Sequence, residues 1–176
     1  DAVNAELVPS GFLYGAGRGR FGKPHFFLAR LARRERRDGT EILEAGHEYV
    51  RDIEAAPALL QGGTVVIRRD AFERWLWLQV EAWQGKPADG DLAAALEAYG
   101  YARGAGEAIA RLAESERETL VLHELGEREC DRLLGAPWDA FMAGIADRRL
   151  EISARAVRDL LADCRVTLPA LLDRGH

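Results

Sequence analysis

One stretch of the chain, residues 114–130, carries an imidazole, several carboxylates and a thiol at helical spacing. At about 100° per residue, His123 and Glu127 would emerge about 40° apart on one helix face, so that both could hold the same metal ion. The residues on this arc are Glu116, Leu120, His123, Glu127, Cys130 and Leu134. The pattern suggests a divalent metal ion bound by His123 and Glu127, with Glu124 or Glu116 as the catalytic acid or base.

The metal hypothesis has a simpler competitor, which we favour. The motif reads His-Glu-x-x-Glu and lacks the second imidazole of zinc proteases. Further ligands would have to come from distant positions, namely His25, His47, Asp52 or Asp163. In the competing interpretation the segment is a charged helix in which His123 and Glu127 form a local hydrogen bond. In both cases we expect the pair to face a cleft or the interior.

A glycine-rich stretch near residues 15–22 offers a second kind of chemistry, the binding of an anion. The backbone N–H groups of a glycine loop and nearby cations can together hold a phosphate. The residues that would do so are Gly17, Arg18, Gly19, Arg20, Gly22, Lys23 and His25. The alternative is a tight turn whose cations are solvated.

The same glycines spell Gly-x-Gly-x-x-Gly, but the rest of the chain does not fit the nucleotide-binding folds that use this motif. A dinucleotide-binding fold needs a helix directly after the motif, whereas Pro24 and an aromatic run follow it here. A protein kinase needs His-Arg-Asp and Asp-Phe-Gly motifs, which the sequence lacks. The motif therefore predicts at most a local anion site.

Charge is distributed unevenly along the chain, which has 176 residues and a net charge of −5. Residues 1–40 hold eight Lys/Arg and four Asp/Glu, and the remainder holds 16 and 25. The acidic total argues against nucleic acid as a partner. The arginine run at residues 30–37 is typical of a protected sheet edge, with a nucleic-acid or acidic-partner patch as the alternative. A protein partner or self-association stays open.

The compartment is inferred from the termini, the cysteines and the hydropathy. The N-terminus has no secretory signal, and its first residue is not Met, so we expect a trimmed start. Cys130 and Cys164 are too isolated for a disulfide framework. No apolar run approaches the roughly 20 residues that span a bilayer. We expect a soluble cytoplasmic protein without a membrane partner.

Strand signals lie before residue 70. Asp38-Gly39 is a strong hairpin turn, and Gly62-Gly63 precedes another strand-like run. The sequence therefore predicts a small antiparallel sheet of three or four strands within residues 1–69. Residues 55–60 contain a proline and are interpreted as a loop.

Helical periodicity begins at Asp70, which with Glu73 forms an acidic capping box. About five helices follow, near residues 70–84, 92–113, 115–134, 138–146 and 150–164, and Pro169 is expected to end the pattern. In the second of them, Gly100 and Gly104 predict close helix packing or a break near Gly104–Gly106. The fold class is α+β, with one domain over residues 1–176 that has a β-rich part (1–69) and a helical part (70–176).

Four segments carry a resemblance to a known family. They read GAGRGRFGKPHFF, YVRD, HELGE and RAVRDLLADCRVTLP. In these segments the chain resembles an uncharacterised bacterial protein family. The resemblance implies no catalytic role, and it implies that the chain is part of a longer protein.

Overall fold

Five strands, all before residue 70, form one sheet in the computed structural model, which describes residues 2–18, 24–53, 55–83 and 90–174. In chain order they are β1 (Phe12–Arg18), β2 (Pro24–Arg37), β3 (Thr40–Arg51), β4 (Ala58–Gln61) and β5 (Thr64–Arg68). Within these ranges no strand follows β5, which confirms the predicted change to helical structure near Asp70 and the α+β class.

The sheet has the strand order β1-β2-β3-β5-β4. The sequence predicted a purely antiparallel sheet, whereas the observed sheet is mixed. β3 and β5 run parallel, with Glu41 opposite Thr64, and the other neighbours are antiparallel. The predicted number of strands was too low because β4 has only four residues and directly follows Pro57. The β4–β5 hairpin inserts with β5 beside β3, a long-range pairing that no local pattern reveals.

The β2–β3 hairpin confirms the predicted turn. Asp38 and Gly39 have positive φ angles of 48° and 76°, as the turn type that suits the twist of a hairpin requires. β2 is irregularly paired between Leu28 and Arg33, which allows this long strand to bend. The sheet curls until the Gln61 side chain of β4 donates a hydrogen bond to the Ala16 carbonyl of β1 (2.9 Å).

The seam between β1 and β4 is also covered by a short N-terminal helix that the sequence did not predict. This helix, α1 (Ala2–Leu7), leads through a 3₁₀ turn (Val8–Ser10) into β1. The Asn4 side chain donates to the Tyr14 carbonyl (2.7 Å) and accepts from the Tyr14 N–H (2.9 Å). Asn4 therefore satisfies the outer edge of β1 as a neighbouring strand would.

Five helices follow the sheet, in agreement with the predicted number. They are α2 (Arg69–Trp83), α3 (Asp91–Ala98), α4 (Ala105–Gly144), α5 (Arg148–Ala162) and α6 (Leu168–Asp173), with a 3₁₀ turn (Tyr101–Arg103) and a π-helical turn (Asp163–Thr167) between them. None of the helices in the described ranges is long and apolar enough to cross a bilayer.

Several predicted helix boundaries were wrong. The expected helix over 92–113 is divided between Gly100, which adopts a φ of 76°, and Gly104, so the alternative of a break near Gly104–Gly106 is the better prediction, and α4 runs on without a new start at residue 115. The predicted stop near Gly135 is confirmed in part, since Gly135 (φ 56°, ψ −155°) has a non-helical backbone that interrupts α4. Pro169 does not end the helical pattern, because it lies in the first turn of α6, where proline is tolerated.

The start of α2 also differs from the predicted capping box. The Asp70 carboxylate accepts a hydrogen bond from the Glu48 N–H (3.0 Å), so it ties the helix to β3. The predicted apolar stripe on this helix is confirmed, since Phe72, Leu76 and Val80 are buried among the helices.

The sheet has two buried faces. The concave face encloses an apolar cluster of Leu13, Phe27, Ala29, Leu43, Ala45 and Val66. On the convex face, Ile42, Val65 and Ile67 pack against Val121 of α4. Successive side chains of a strand point to opposite faces, so the alternation along β5 supplies both clusters.

A buried carboxylate on β3 joins the sheet to the helices. Glu44 is 1% exposed and accepts hydrogen bonds from Arg117 of α4 (2.6 Å) and Arg69 of α2 (2.7 Å). Burial raises the pKa of Glu44, but the bonds from the two arginines outweigh it and hold the pKa below its ordinary value.

The contact between α4 and α5 is close at Gly126, where an added Cβ would lie 2.8 Å from the Ala162 carbonyl oxygen.

Candidate functional site

A histidine and an aspartate meet at the end of the sheet where the β1–β2 hairpin lies. His25, near the start of β2, pairs with Gly17 of β1, and Asp52 follows the last residue of β3. His25 Nδ1 lies 3.0 Å from Asp52 Oδ2, and the two side chains are only 14% and 9% exposed. Because a carboxylate accepts, Nδ1 carries the hydrogen and the imidazole is held in one orientation.

Arg68, the last residue of β5, supports this pair from inside the sheet. Its side chain is fully buried, and its Nε donates to Glu48 Oε1 (2.6 Å). Its terminal nitrogens lie 3.4 Å from Asp52 Oδ1, and its guanidinium lies 4.5 Å from the Phe27 ring centroid. The guanidinium is therefore committed to positioning Asp52 and balancing Glu48.

Two polar atoms of this cluster have no hydrogen-bond partner among the residues that the structure describes. They are His25 Nε2 and Glu48 Oε2, and both are buried. Arg51 Nε lies 3.8 Å from the Glu48 oxygen, beyond hydrogen-bonding distance. A buried polar atom without a partner is unfavourable, so such an atom marks a place where a ligand or water can bind.

The structure brings together part of the predicted anion site. Gly17 lies in β1 opposite His25, and Arg18 pairs with Pro24 at the end of the hairpin. Gly19, Arg20, Gly22 and Lys23 lie outside the described residues. The sequence predicts His25 as part of this site but does not predict Arg68 or Glu48, because charged residues are ordinarily exposed. Asp52 is predicted only as a distant metal ligand.

The second predicted site lies on α4. His123 Nδ1 is 2.8 Å from Asp163 Oδ1, and its Nε2 is 3.5 Å from Glu127 Oε1. His123 and Glu127 share one side of the helix and are 30% and 18% exposed, so this side is largely covered. The hydrogen bond with Glu127, assisted by Asp163, raises the pKa of His123 to about 9 against the opposing effect of burial.

Glu127, the carboxylate predicted as a metal ligand, already forms an ion pair with an arginine side chain. Arg158 of α5 donates to Glu127 Oε2 (2.5 Å) and to Asp131 (3.1 Å). In the four described ranges no group of three or more His, Cys, Asp or Glu residues is arranged to hold a metal ion. The geometry is that of an ion-pair network between α4 and α5.

The other residues predicted for the metal centre are dispersed. Glu124 is buried, and burial raises its pKa to about 8. Glu116 accepts a hydrogen bond from Thr119 (2.9 Å). Of the distant candidates, Asp163 reaches His123, whereas His25 and Asp52 bond each other and His47 lies 3.4 Å from Asp70.

Loss of the His123 imidazole should destabilise the fold only below about pH 9. The folded pKa is raised above the ordinary 6.5, so the stabilisation is complete below about 6.5 and is lost as the pH rises through about 9. His123→Gln should lower the free energy of unfolding by roughly 1 kcal/mol at pH 6, since the ion pairs are partly solvated, and by much less at pH 10. Urea denaturation at both pH values measures this.

The matched control is His47→Gln, because His47 is 71% exposed and should contribute little. A difference between wild type and His123→Gln that is the same at pH 6 and pH 10 would contradict the ion-pair assignment.

A cleft of about 620 Å³ opens beside the β1–β4 seam. It is lined by Asn4, Ala5, Val8, Pro9, Tyr14, Ala16, Arg34, Glu41, Leu43, Gln61, Gly62, Thr64 and Val66. Its main polar side chains are engaged: Arg34 with Glu41 (2.6 Å), and Asn4 and Gln61 with the β1 backbone. The cleft therefore offers a ligand fewer open polar groups than the hairpin end of the sheet.

Two family models match the chain. The N-terminal domain of a family of unknown function, DUF6866, matches residues 1–68, and the C-terminal domain of the same family matches residues 73–176. Comparison with curated proteins gave no match, and comparison with solved structures gave none either.

Proposed function

The chain belongs to the DUF6866 family, whose function is unknown, so we propose from the geometry alone that it is a binding module for an anionic group. The group, such as a phosphate, would bind at the hairpin end of the sheet. The observation that carries this proposal is the buried His25 Nε2, which has no partner among the described residues. In the imidazolium form, with Nδ1 donating to Asp52, Nε2 carries the second N–H and is a fixed donor for an anionic oxygen.

The surrounding charges also favour an anion. Residues 18–25 contain Arg18, Arg20 and Lys23 and no acidic residue. Asp52 and Glu48 are the acidic groups of the cluster, and they face two cations: Arg68, which contacts both, and Arg51, whose Nε lies 3.8 Å from Glu48. Cations beside a glycine-rich turn, together with its N–H groups, are a recurrent way of binding phosphate.

Two substitutions should weaken phosphate binding about tenfold each, the typical value of a hydrogen bond to a charged group. His25→Asn keeps a donor near the Nδ1 position for Asp52 but removes Nε2. Arg20→Ala removes a cation of the glycine-rich stretch. Calorimetric titration with inorganic phosphate and with pyrophosphate measures both affinities.

The matched control is Arg36→Ala, at the far end of β2, where the side chain contacts the Gly39 carbonyl (3.5 Å). It should bind like the wild type. If His25→Asn also binds like the wild type, His25 is not part of the site. If neither phosphate nor pyrophosphate binds the wild-type protein at millimolar concentration, the proposed function is wrong.

A metal-dependent enzyme that uses His123 and Glu127 as ligands is our second proposal. It is supported by Asp163, a third group that reaches the imidazole. It requires Arg158 to release Glu127. Elemental analysis of protein incubated with Zn²⁺, Mn²⁺ or Fe²⁺ tests it, and a metal content that His123→Ala does not change would rule out this site.

We also propose that the protein acts in the bacterial cytoplasm. Cys130 and Cys164 are both free, and Cys164 is exposed. An exposed thiol is maintained best in a reducing compartment.

A further inference from the structure

Aromatic rings lie exposed on the convex side of β1, β2 and β3. Phe12, Phe26 and Tyr49 are 38%, 41% and 53% exposed. Phe12 and Phe26 alternate with the buried Leu13 and Phe27, so their rings point away from the apolar cluster. The Tyr49 ring lies 6.1 Å from that of Phe12, centroid to centroid.

His47 extends this group, because its ring packs edge-on against Tyr49 at 5.2 Å. We call Phe12, Phe26, His47 and Tyr49 the aromatic face. Neighbouring strands bring these residues together, so no single stretch of sequence shows them. α4 covers the convex side over β4 and β5, and the exposure of the rings shows that it leaves the aromatic face open.

A cation lies within the aromatic face. Arg30 is exposed and sits directly opposite Phe12 in the register of β1 and β2. Three other arginines of β2 are neutralised: Arg33 by Glu114, Arg34 by Glu41 and Arg37 by Glu118. Arg30 makes no ion pair with any residue in the described ranges, so its charge is available to an anion.

Exposed aromatic rings beside an arginine that is unpaired within the described ranges match the chemistry of a single nucleic-acid strand, in which bases alternate with phosphates. Flat rings stack on unpaired bases irrespective of sequence, and arginine contacts the backbone between them. Residues 12–37 hold eight Lys/Arg and one acidic residue, and although Glu114, Glu41 and Glu118 neutralise three of these arginines, Arg30 adds to the aromatic face a positive charge that has no ion-pair partner among the described residues.

We propose that the aromatic face binds single-stranded nucleic acid, with bases on Phe12 and Tyr49 and a phosphate on Arg30. The proposal rests on the proposed phosphate site, which lies at the hairpin end of the same strands and would hold a further backbone phosphate where the nucleic acid passes that end of the sheet. A duplex would not fit as well, because its bases are already stacked on one another. The acidic total, from which the sequence argued against nucleic acid, is concentrated after residue 40.

The test compares two DNA strands of equal length, an oligothymidylate of about ten nucleotides and an abasic strand with the same phosphates. Fluorescence anisotropy should show that wild-type protein binds the oligothymidylate about tenfold more tightly. Tyr49→Ala and Phe12→Ala should each lower that affinity about fivefold and leave the abasic strand unchanged. Phe141→Ala removes a ring of similar exposure (47%) from α4 and should change neither affinity.

The outcomes separate the two proposals. Equal binding of both strands would overturn the stacking proposal and leave the phosphate site standing. If neither strand binds but inorganic phosphate does, nucleic acid is not the ligand. If inorganic phosphate also fails to bind, the proposed function falls as well. Unchanged oligothymidylate binding by Tyr49→Ala would overturn the stacking proposal. Since these rings are exposed, thermal unfolding should confirm that every variant is folded.

Discussion

Replacement of Glu44 by alanine is expected to lower the free energy of unfolding by about 3–5 kcal/mol. The carboxylate is buried and bonded to Arg117, which is itself only 7% exposed. Arg69 is 42% exposed and can turn toward water, but Arg117 cannot. Removal of Glu44 therefore leaves the Arg117 guanidinium buried without one of the negative charges that balance it. This costs more free energy than the loss of a surface ion pair.

Chemical denaturation of Glu44→Ala beside Glu41→Ala measures this effect. Glu41 lies on the same strand and pairs with Arg34 at 2.6 Å, but that arginine is 59% exposed. Its loss should cost about 1 kcal/mol or less. Equal losses from the two substitutions would show that Glu44 does not compensate a buried charge. A double variant, Glu44→Leu with Arg117→Met, should recover much of the lost stability, because apolar residues can replace a buried ion pair.

Replacement of Gly126 by alanine should destabilise the protein by about 3 kcal/mol. The added methyl carbon would lie 2.8 Å from the Ala162 carbonyl oxygen and 3.2 Å from the Ala162 Cβ. The obstacle is backbone, which cannot rotate away as a flexible side chain can. Either α5 must move from α4, or the clash must be absorbed by strain in both helices.

Gly106→Ala is the matched control on the same helix. A Cβ at Gly106 would meet nothing within 4 Å, so the substitution should be neutral or should stabilise the helix by up to about 1 kcal/mol. Thermal and urea unfolding of the two variants should therefore shift in opposite directions. If Gly126→Ala is as stable as Gly106→Ala, the two helices do not require glycine at their crossing.

The parts of the fold that the sequence predicted well have local signals. The turn at Asp38-Gly39 depends on two adjacent residues, and the stripe of Phe72, Leu76 and Val80 depends on one helical period. β4 and its place in the sheet depend on a parallel pairing between β3 and β5. The register between distant strands is decided by side-chain packing. The four-residue sequence of β4 carries no pattern from which that packing can be predicted.

The candidate sites show the same division. His25 could be predicted because it follows a glycine-rich stretch, but Arg68 comes from a strand more than forty residues away. Its charge is buried only because Glu48 and Asp52 compensate it. Glu127 could be predicted as a partner of His123 because it lies one helical turn away. Asp163, which lies 36 residues after Glu127, could be named only as one of several possible partners.

The amide of Asn4 has a consequence for how this protein meets copies of itself. An uncovered strand edge recruits strands from other chains, and here Asn4 occupies the edge of β1 at Tyr14. α1, which carries Asn4, has no buried residue, so its detachment is a local opening that leaves the core intact. While Asn4 holds the Tyr14 backbone, the edge of β1 at that position cannot accept a strand from a second copy of the chain.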